Sequence, residues 1–145
     1  MSIWRVEPSA AELTERGHHS LAGHLGIRIT AVGADFLQAT MPVEARTHQP
    51  YGVLHGGASV ALAETAGSIA SMLCVGPGET CLGQEINANH VRAVREGLVT
   101  ATARPFHLGR RSHVWHIEIR DEAERLVCVS RLTLAILPPR EGVPP

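Results

Sequence analysis

The chain has 145 residues, of which 44% are hydrophobic and 19% charged, and its formal net charge at pH 7 is −1. These values are typical of one globular domain, and the near-zero charge excludes binding to nucleic acid or an anionic membrane by long-range attraction. Three unclustered cysteines, and an N-terminus that does not resemble a secretory signal, predict reduced thiols and a cytoplasmic location. No stretch approaches the roughly 18–20 apolar residues that span a bilayer.

The first third of the chain predicts a short helix and two strands. Pro8–Arg16 has a proline suited to a helix start and several good helix formers, and Gly17 is placed to end it. Leu25–Val32 and Asp35–Val43 are predicted strands. In the second strand, apolar residues recur at every second position, which is the period of a strand with one buried face.

Gly57–Leu73 predicts an unusual helix, about 25 Å long at 1.5 Å per residue. Apolar and small residues occupy all its faces, which is typical of a buried helix. Its many Ala, Gly and Ser residues predict that other backbone packs close against it. It ends at Gly76-Pro77-Gly78. Four further strands are predicted after it: Thr80–Arg92, Leu98–Pro105, Ser112–Arg120 and Arg125–Leu137.

These elements predict an α+β fold in which an antiparallel sheet wraps around one long central helix. In this prediction residues 1–137 form a single domain, and the proline-rich residues 138–145 form a flexible tail. One small sheet cannot cover a helix that is apolar on every side. A second subunit is therefore expected to complete its burial, and the prediction is a dimer.

Glu64 is the only acidic residue between Arg46 and Glu79, and it lies in the middle of this apolar helix. Burying an ionised carboxylate without partners is costly, so the position needs either partners or a function. In helical register Glu64 shares a face with small and hydroxylated residues such as Ser68. That face suits a carboxylate that lines a cavity, although a surface position or a pair with an arginine would also fit.

The start of the helix is suited to binding negative charge. Gly56 and Gly57 let the backbone approach a ligand closely, and the N–H groups of a first helical turn are unpaired and carry partial positive charge. Gln49 and His55 stand just before them as side-chain donors. A carboxylate combined with such donors is typical of acyl-transfer chemistry, although a histidine here is also a common helix cap.

Several segments of the chain together match a known family. They are residues 47–59 (THQPYGVLHGGAS), Glu64, Gly67-Ser68, residues 85–90 (EINANH) and residues 107–110 (HLGR). They resemble the hotdog-fold thioesterases, and within them the branch of the Arthrobacter-type 4-hydroxybenzoyl-CoA thioesterase and its small enterobacterial relatives. The resemblance covers nearly the whole chain apart from the tail. It implies an acyl-CoA thioesterase without a cofactor, a dimer whose two sheets join into one, and commonly a tetramer of two dimers.

The resemblance implies a role for each residue around the helix. Glu64 would be the nucleophile or the general base that activates water, and the Gly56 amide would polarise the thioester carbonyl. Gln49 and His55 would bracket that carbonyl, while Ser68 would hydrogen-bond the carboxylate or position water. In such enzymes the site straddles a dimer interface, so that Glu64 faces His55 and Gln49 of the other subunit. Covalent anhydride formation and direct attack by water both remain open.

The resemblance also implies where coenzyme A binds. The segment from His107 to Ser112 would hold the nucleotide and its phosphates, for which adjacent arginines are chemically apt, although arginine pairs are common in solvated turns. His90 would sit near the acyl or pantetheine path. Arg92 with its neighbours from His90 to Ala93, and Gly83, would be placed similarly to the phosphate-binding segment. The residues concerned are Gly83, His90, Val91, Arg92, Ala93, His107, Leu108, Gly109, Arg110, Arg111 and Ser112.

Other interpretations of the sequence fit its residues less well. A metal site is not expected, because His113 and His116 point to opposite faces of a strand. Hotdog hydratases and dehydratases use an Asp/His pair that is not evident here, and hotdog acyl-CoA sensors are often fused to a regulatory domain. A carrier-protein thioester is an alternative to coenzyme A. From the branch alone, an aromatic or medium-chain acyl group is expected.

Overall fold

The residues that the computed structural model describes, 1–7 and 9–139, form a six-stranded antiparallel sheet and three α-helices. In chain order they are α1 (Ala10–Arg16), α2 (Leu21–His24), β1 (Arg28–Val32), β2 (Leu37–Pro42), a 3-10 turn (Ala45–Thr47), α3 (Gly56–Cys74), β3 (Thr80–His90), β4 (Leu98–Leu108), β5 (Ser112–Asp121) and β6 (Leu126–Leu137). The strand order is β1-β2-β4-β5-β6-β3, and every neighbouring pair is antiparallel. The predicted α+β class and central helix are confirmed.

The long helix α3 lies on one face of the sheet and contacts β2, β3, β4, β5 and β6. Alternate residues of the strands face it, so that Leu37, Ala39 and Met41 of β2 are fully buried. At Gly67 the helix approaches the sheet so closely that an added Cβ would lie 2.7 Å from Leu132 Cδ2. The close neighbour is a leucine side chain, so the expectation that other backbone packs close against this helix stays a prediction.

The structure differs from the prediction between α1 and β1. Leu21–His24 form the short helix α2, where the sequence predicts no helix, and β1 begins at Arg28 rather than at Leu25. Gly26 turns the chain between them with a φ of 70°, a conformation that glycine adopts without strain. A helix of one turn has too few residues to show a periodic pattern, and its formation depends on tertiary packing.

Both ends of the prediction involve residues outside the described part of the chain. The predicted helix start at Pro8 lies outside it, and so do residues 140–145 of the predicted tail. Within the described part, α1 begins at Ala10 and is capped by Ser9, whose side chain accepts a hydrogen bond from the Glu12 N–H. A serine followed three residues later by a glutamate is a common helix-start pattern.

By length and composition alone, α3 could cross a membrane, with a mean hydropathy of 1.2. The expectation that no stretch comes close to this criterion was therefore wrong. Half of the residues concerned are buried inside the protein, where they pack on the sheet. The core helix of a soluble protein satisfies the same criterion, so the finding does not indicate a membrane span.

The N-terminal segment ties down the C-terminal end of α3. Arg5 donates from its backbone N–H to Leu73 O at 2.8 Å and from its Nε to Cys74 O at 2.9 Å. These bonds satisfy carbonyl groups that the end of a helix leaves unpaired, and the guanidinium charge complements the helix dipole there. Trp4 stacks on the buried Trp115 with ring centroids 6.3 Å apart. The segment before α1 is therefore fixed beside α3.

A buried polar cluster links α3 to β5. Ser71, which is fully buried, accepts a hydrogen bond from Trp115 Nε1 at 2.7 Å and lies 3.2 Å from His113 Nδ1. Burial lowers the pKa of the His113 imidazole. The neighbouring His107 also lowers this pKa, and Glu79 raises it to a lesser extent. Neutral His113 is therefore the form that the folded protein favours.

We predict that His113 makes folding less stable in mild acid. Its folded-state pKa lies below the ordinary value of 6.5. As the pH falls from 6.5 towards the folded-state pKa, the unfolded chain binds the proton first and the free energy of unfolding decreases. Urea unfolding at about pH 7.5 and about pH 5.5 should show a larger loss for wild type than for His113→Asn. The variant His24→Asn, at an exposed histidine, is the control, and an equal loss in His113→Asn and wild type would contradict the prediction.

Candidate active site

The start of α3 presents an unpaired amide. His55 is the N-cap residue, and its Nδ1 accepts a hydrogen bond from Gly57 N–H at 2.8 Å. The N–H groups of Ala58 and Ser59 bond to the His55 carbonyl. Within the described part of the chain, Gly56 N–H has no acceptor. It is therefore the first-turn donor that remains for a ligand.

Two side chains beside this amide present further donors. Because His55 Nδ1 accepts a hydrogen bond, the neutral ring carries its hydrogen on Nε2, which is left as a donor. The Gln49 Oε1 accepts from the Tyr51 backbone N–H, which leaves the Gln49 amino group as a donor. A backbone bond from Gln49 N–H to Val53 O, at 2.9 Å, closes the loop before the helix. The predicted cap and the predicted donor role of His55 are thus compatible.

His90, the last residue of β3, packs against the helix start. A Cβ added to Gly56 would lie 2.9 Å from His90 Nε2, so a glycine leaves room for the imidazole. The next residues are held at the same end of the sheet, because Val91 N–H donates to Val127 O at 2.9 Å and Arg92 Nε donates to Leu126 O at 3.3 Å. The predicted segment from His90 to Ala93 therefore lies next to Gly56.

Glu64 lies two turns further along α3, against the other half of β3. A Cβ added to Gly83 would collide with Glu64 Oε1, so the carboxylate rests directly on the Gly83 backbone. Glu64 is half-buried and forms no ion pair within the described residues. The alternative of a carboxylate paired with an arginine is thus not seen there. Ser68, one turn on, makes no side-chain hydrogen bond to Glu64 in the described structure.

A groove of about 790 Å³ runs between α3 and the N-terminal helices and contains the Glu64 side chain. We call it the α1–α3 groove. Ala61 and Met72 of α3 line one wall at helical spacing, and Leu13 of α1 and Leu21 of α2 line the other. Most of its lining is apolar. It therefore suits the acyl part of a substrate better than the phosphates of a nucleotide.

The predicted phosphate-binding segment forms the hairpin between β4 and β5. Gly109 N–H donates to Ser112 O at 2.9 Å, and Ile136 N–H donates to Arg111 O at 2.9 Å. The Arg110 and Arg111 side chains are exposed. This hairpin lies at the end of the sheet where β3 begins, because Cys81 of β3 pairs with Ile136 of β6.

The structure divides the predicted site residues into two groups at opposite ends of β3. The helix-start group comprises Gln49, His55, Gly56 and residues 90–93. The carboxylate group comprises Glu64, Ser68, Gly83 and residues 107–112. Gly83 and His90 are about 23 Å apart along the strand at 3.3 Å per residue, and Gly56 and Glu64 are about 12 Å apart along the helix. One chain by itself does not bring the two groups together.

The cysteines are poor candidates for nucleophiles. Burial raises the pKa of the Cys74 thiol to about 11, although nearby Arg5 lowers it and Cys81 raises it. Burial also raises the pKa values of Cys81 and Cys128. Thiols with raised pKa values stay protonated near neutral pH and react slowly. The described residues also contain no group of three or more His, Cys, Asp or Glu side chains that could hold a metal ion.

Residues 51–128 match the thioesterase superfamily. The chain belongs to this superfamily. It is 53% identical over 135 residues to the 1,4-dihydroxy-2-naphthoyl-CoA hydrolase of Escherichia coli, a match that covers 93% of this chain and 99% of that protein. It is 49% identical over 135 residues to the proofreading thioesterase EntH of Cronobacter turicensis, covering 93% and 98%. A crystal structure of a Haemophilus influenzae thioesterase has a TM-score of 0.94 at 52% identity, covering 97% and 98%.

These similarities confirm the family and the hotdog fold that the sequence motifs imply. The protein is a thioester hydrolase, and the apolar helix that carries Glu64 is the central helix of a hotdog thioesterase. The residues that the motifs assign to catalysis and to coenzyme A binding lie in the helix-start group and in the carboxylate group. Their roles remain predictions.

Sequence reasoning missed the second wall of the α1–α3 groove. Leu13, Arg16 and Ser20 line it from α1 and the turn after it, together with Leu21 of α2. Their spacing of three and four residues is a helical pattern that the sequence contains. Nothing in that pattern, however, indicates that these residues line the groove that contains the Glu64 side chain and do not pack on the sheet.

We predict that Gly83→Ala lowers thioesterase activity at least about tenfold while the protein stays folded, because a misplaced reacting group is costly to catalysis. The added methyl group would collide with Glu64 Oε1, and the flexible carboxylate would move. Gly83 is not among the glycines with positive φ, so alanine adds no backbone strain there. Steady-state kinetics beside Gln84→Ala, an exposed neighbour, measures the effect. Full activity of Gly83→Ala would mean that the carboxylate position is unimportant.

Proposed function

We propose that this thioesterase hydrolyses acyl-CoA thioesters at a site that two subunits build together. The observation that carries the proposal is the separation of Glu64 from Gly56. A carbonyl carbon must lie about 3–3.5 Å from the attacking atom, and its oxygen, about 1.2 Å further on, must lie about 3 Å from a donor. A carbonyl that Glu64 attacks directly therefore reaches a donor no more than about 8 Å from the carboxylate, and a water between Glu64 and the carbonyl extends this reach to about 11 Å. Gly56 of the same chain, which packs against the distant His90, is out of range.

The free edge of β3 offers a way to bring the groups together. This strand of 11 residues pairs only with β6 in the described structure, and most of its residues are exposed. A long unpaired edge is a template for another strand, and a two-fold axis would pair two copies of β3 antiparallel. An axis midway between Gly83 and His90 places Gly83 opposite the partner's His90. The carboxylate of Glu64 then faces the partner's Gly56.

The proposed chemistry follows from this arrangement. The partner's Gly56 N–H donates to the thioester oxygen, with the helix dipole adding to the attraction, and His55 and Gln49 of the partner subunit donate beside it. Glu64 either attacks the carbonyl carbon to form an anhydride or removes a proton from an attacking water. In both routes the C–S bond breaks, and the thiolate of coenzyme A leaves and takes up a proton. When water attacks directly, the free acid forms in that step; when Glu64 attacks, a water then hydrolyses the anhydride, which releases the free acid and regenerates the carboxylate. Ser68 orients the carboxylate or the water.

The coenzyme A moiety would extend from this site over two surfaces. The exposed Arg110 and Arg111 at the β4–β5 hairpin are suited to its phosphates, with His107, Leu108, Gly109 and Ser112 forming the turn. Pairing along β3 would bring this hairpin towards the partner's residues 90–93. The pantetheine arm would therefore run between the two subunits, past Gly83. A tetramer would then be built from two such dimers.

The similarity to the Escherichia coli 1,4-dihydroxy-2-naphthoyl-CoA hydrolase supports coenzyme A over a carrier protein as the thiol part of the substrate. Three free cysteines fit a reducing compartment, and a cytoplasmic location remains our proposal. The relatives are named as hydrolases and thioesterases, which favours turnover over the alternatives of an acyl-CoA sensor or a hydratase. No cofactor is required by this mechanism.

We predict that Glu64→Gln lowers kcat for acyl-CoA hydrolysis by about 10²–10⁴-fold, the range expected for removal of a general base. The amide is nearly isosteric, so the variant should stay folded and still bind substrate. Thiol release from a panel of aroyl- and fatty acyl-CoA thioesters measures the loss, with Glu12→Gln on the exposed face of α1 as the control. Undiminished activity of Glu64→Gln would refute its assigned role.

The shared site predicts that two inactive variants restore activity when they are mixed. His55→Asn keeps a good helix cap but removes the ring Nε2 donor. In a mixed dimer with Glu64→Gln, one of the two sites is wholly wild type, so random mixing should restore about a quarter of wild-type activity. Each variant alone is the control. If both groups came from one chain, every site in the mixture would be defective and no activity would return.

A further inference from the structure

The free edge of β3 contains a bulge that decides how a second copy of the chain can pair with it. Gly83 and Glu85 lie opposite consecutive residues of β6, so Gln84 between them is an extra residue without a place in the ladder. With Gln84 left out, side chains along β3 alternate between the two faces of the sheet. Gly83 and His90 then share the face towards α3, and the residue midway between them is Asn87, on the outer face.

The backbone of β3 points alternate residues at β6 and at the free edge. Val91 N–H donates to a β6 carbonyl at 2.9 Å, and the Asn87 carbonyl accepts from a β6 serine hydroxyl at 2.8 Å. In an antiparallel ladder every second residue directs both its N–H and its C=O to the same neighbour. Ile86, Ala88 and His90 therefore present their N–H and C=O groups at the free edge.

A two-fold axis through Asn87 uses these edge groups. It sets Ile86 opposite the partner's Ala88, and the two residues exchange both backbone hydrogen bonds. The two copies of Asn87 then face each other as a non-hydrogen-bonded pair, in which the Cα atoms are about 4.5 Å apart and the side chains are close. The same axis sets Gly83 opposite the partner's His90, because Gln84 does not count in the ladder.

The side chains of the outer face match in this register. Leu82 and Val91, which are 60% and 56% exposed, lie opposite each other across the two subunits. The Glu85 carboxylate lies opposite the partner's Asn89, whose side-chain amide can donate to it. Within one chain Glu85 already accepts from Asn87 Nδ2 at 3.1 Å, so a continuous polar row crosses the axis. An axis one position nearer the start of β3 would instead set Leu82 against the amide of Asn89.

Building on the proposed function, we propose that the outer face of β3 recognises a second copy of this chain in one register, with Asn87 on the two-fold axis opposite its own copy. A slip by one residue turns every side chain of a strand to the wrong face. A slip by two moves Gly83 about 7 Å from the partner's His90, and with it Glu64 from the partner's Gly56. Asn87 is thus a positioning residue that does not touch the substrate.

Disulfide cross-linking tests the register. Leu82→Cys, Glu85→Cys, Asn87→Cys and Asn89→Cys are made singly, and the three native cysteines are buried. Each variant is oxidised with copper phenanthroline, both alone and after it has been refolded together with each of the others. Mass spectrometry identifies the linked peptides. Thioesterase activity on the acyl-CoA panel is measured before and after oxidation.

Asn87→Cys should form covalent dimers with itself at least about tenfold faster than Leu82→Cys, because Cα atoms about 4.5 Å apart suit a disulfide. Leu82→Cys is the matched control, since it is exposed on the same face but lies away from the axis. Glu85→Cys should link to Asn89→Cys in their mixture, and neither should link to itself. The oxidised Asn87→Cys dimer should keep the activity of its reduced form, because the disulfide holds the productive register.

Peptides that link position 85 to position 87, or position 87 to position 89, would place the axis at Ile86 or Ala88 and overturn the proposal. A covalent Asn87→Cys dimer that loses its activity would also overturn it, because the productive register would then be a different one. An active enzyme without any of the expected cross-links would refute the register and leave the hydrolysis intact. Wild type that hydrolyses no acyl-CoA would contradict the proposed function, while the expected cross-links would still support the register.

Discussion

The distance that a single carbonyl group can bridge is the constraint on which this account depends. The carboxylate of Glu64 rests on Gly83, and the free amide of Gly56 lies under His90, so the two are at opposite ends of β3. A thioester carbonyl cannot contact both within one chain. The edge of β3 is unpaired in the described structure, and the site of one chain is incomplete. A single two-fold axis would pair the two β3 strands and would also bring Glu64 to the partner's Gly56.

The N-terminal third of the chain connects the packing of α3 to the shape of the α1–α3 groove. Arg5 bonds to the last carbonyls of α3, and Trp4 stacks on Trp115, so the segment before α1 is anchored to the core. This anchoring places α1 and α2 beside the helix that carries Glu64 and closes the α1–α3 groove. The same contacts that stabilise the end of the helix therefore shape the space in which the acyl group would lie.

The features that depend on local pattern were predictable from the sequence. The long helix was recognisable because its residues are apolar on every side, and Glu64 stood out because a lone carboxylate in such a helix is costly. Other features were not predictable. The contact between Glu64 and Gly83 joins two elements that no local pattern places together, and the register shift between Gly83 and Glu85 in the pairing of β3 with β6 leaves no mark in the sequence. The groove wall depends on α2, which is too short to show a periodic pattern.

The most direct measurement is a crystal structure of the protein with an acyl-CoA analogue in which a methylene ketone replaces the thioester. We expect a dimer paired along β3, with the ketone oxygen about 3 Å from Gly56 N of one subunit and the carbonyl carbon facing the Glu64 carboxylate of the other, either at about 3.5 Å or separated from it by one water. The acyl group should fill the α1–α3 groove. A ketone held by Glu64 and Gly56 of the same chain, or bound away from Glu64, would contradict it.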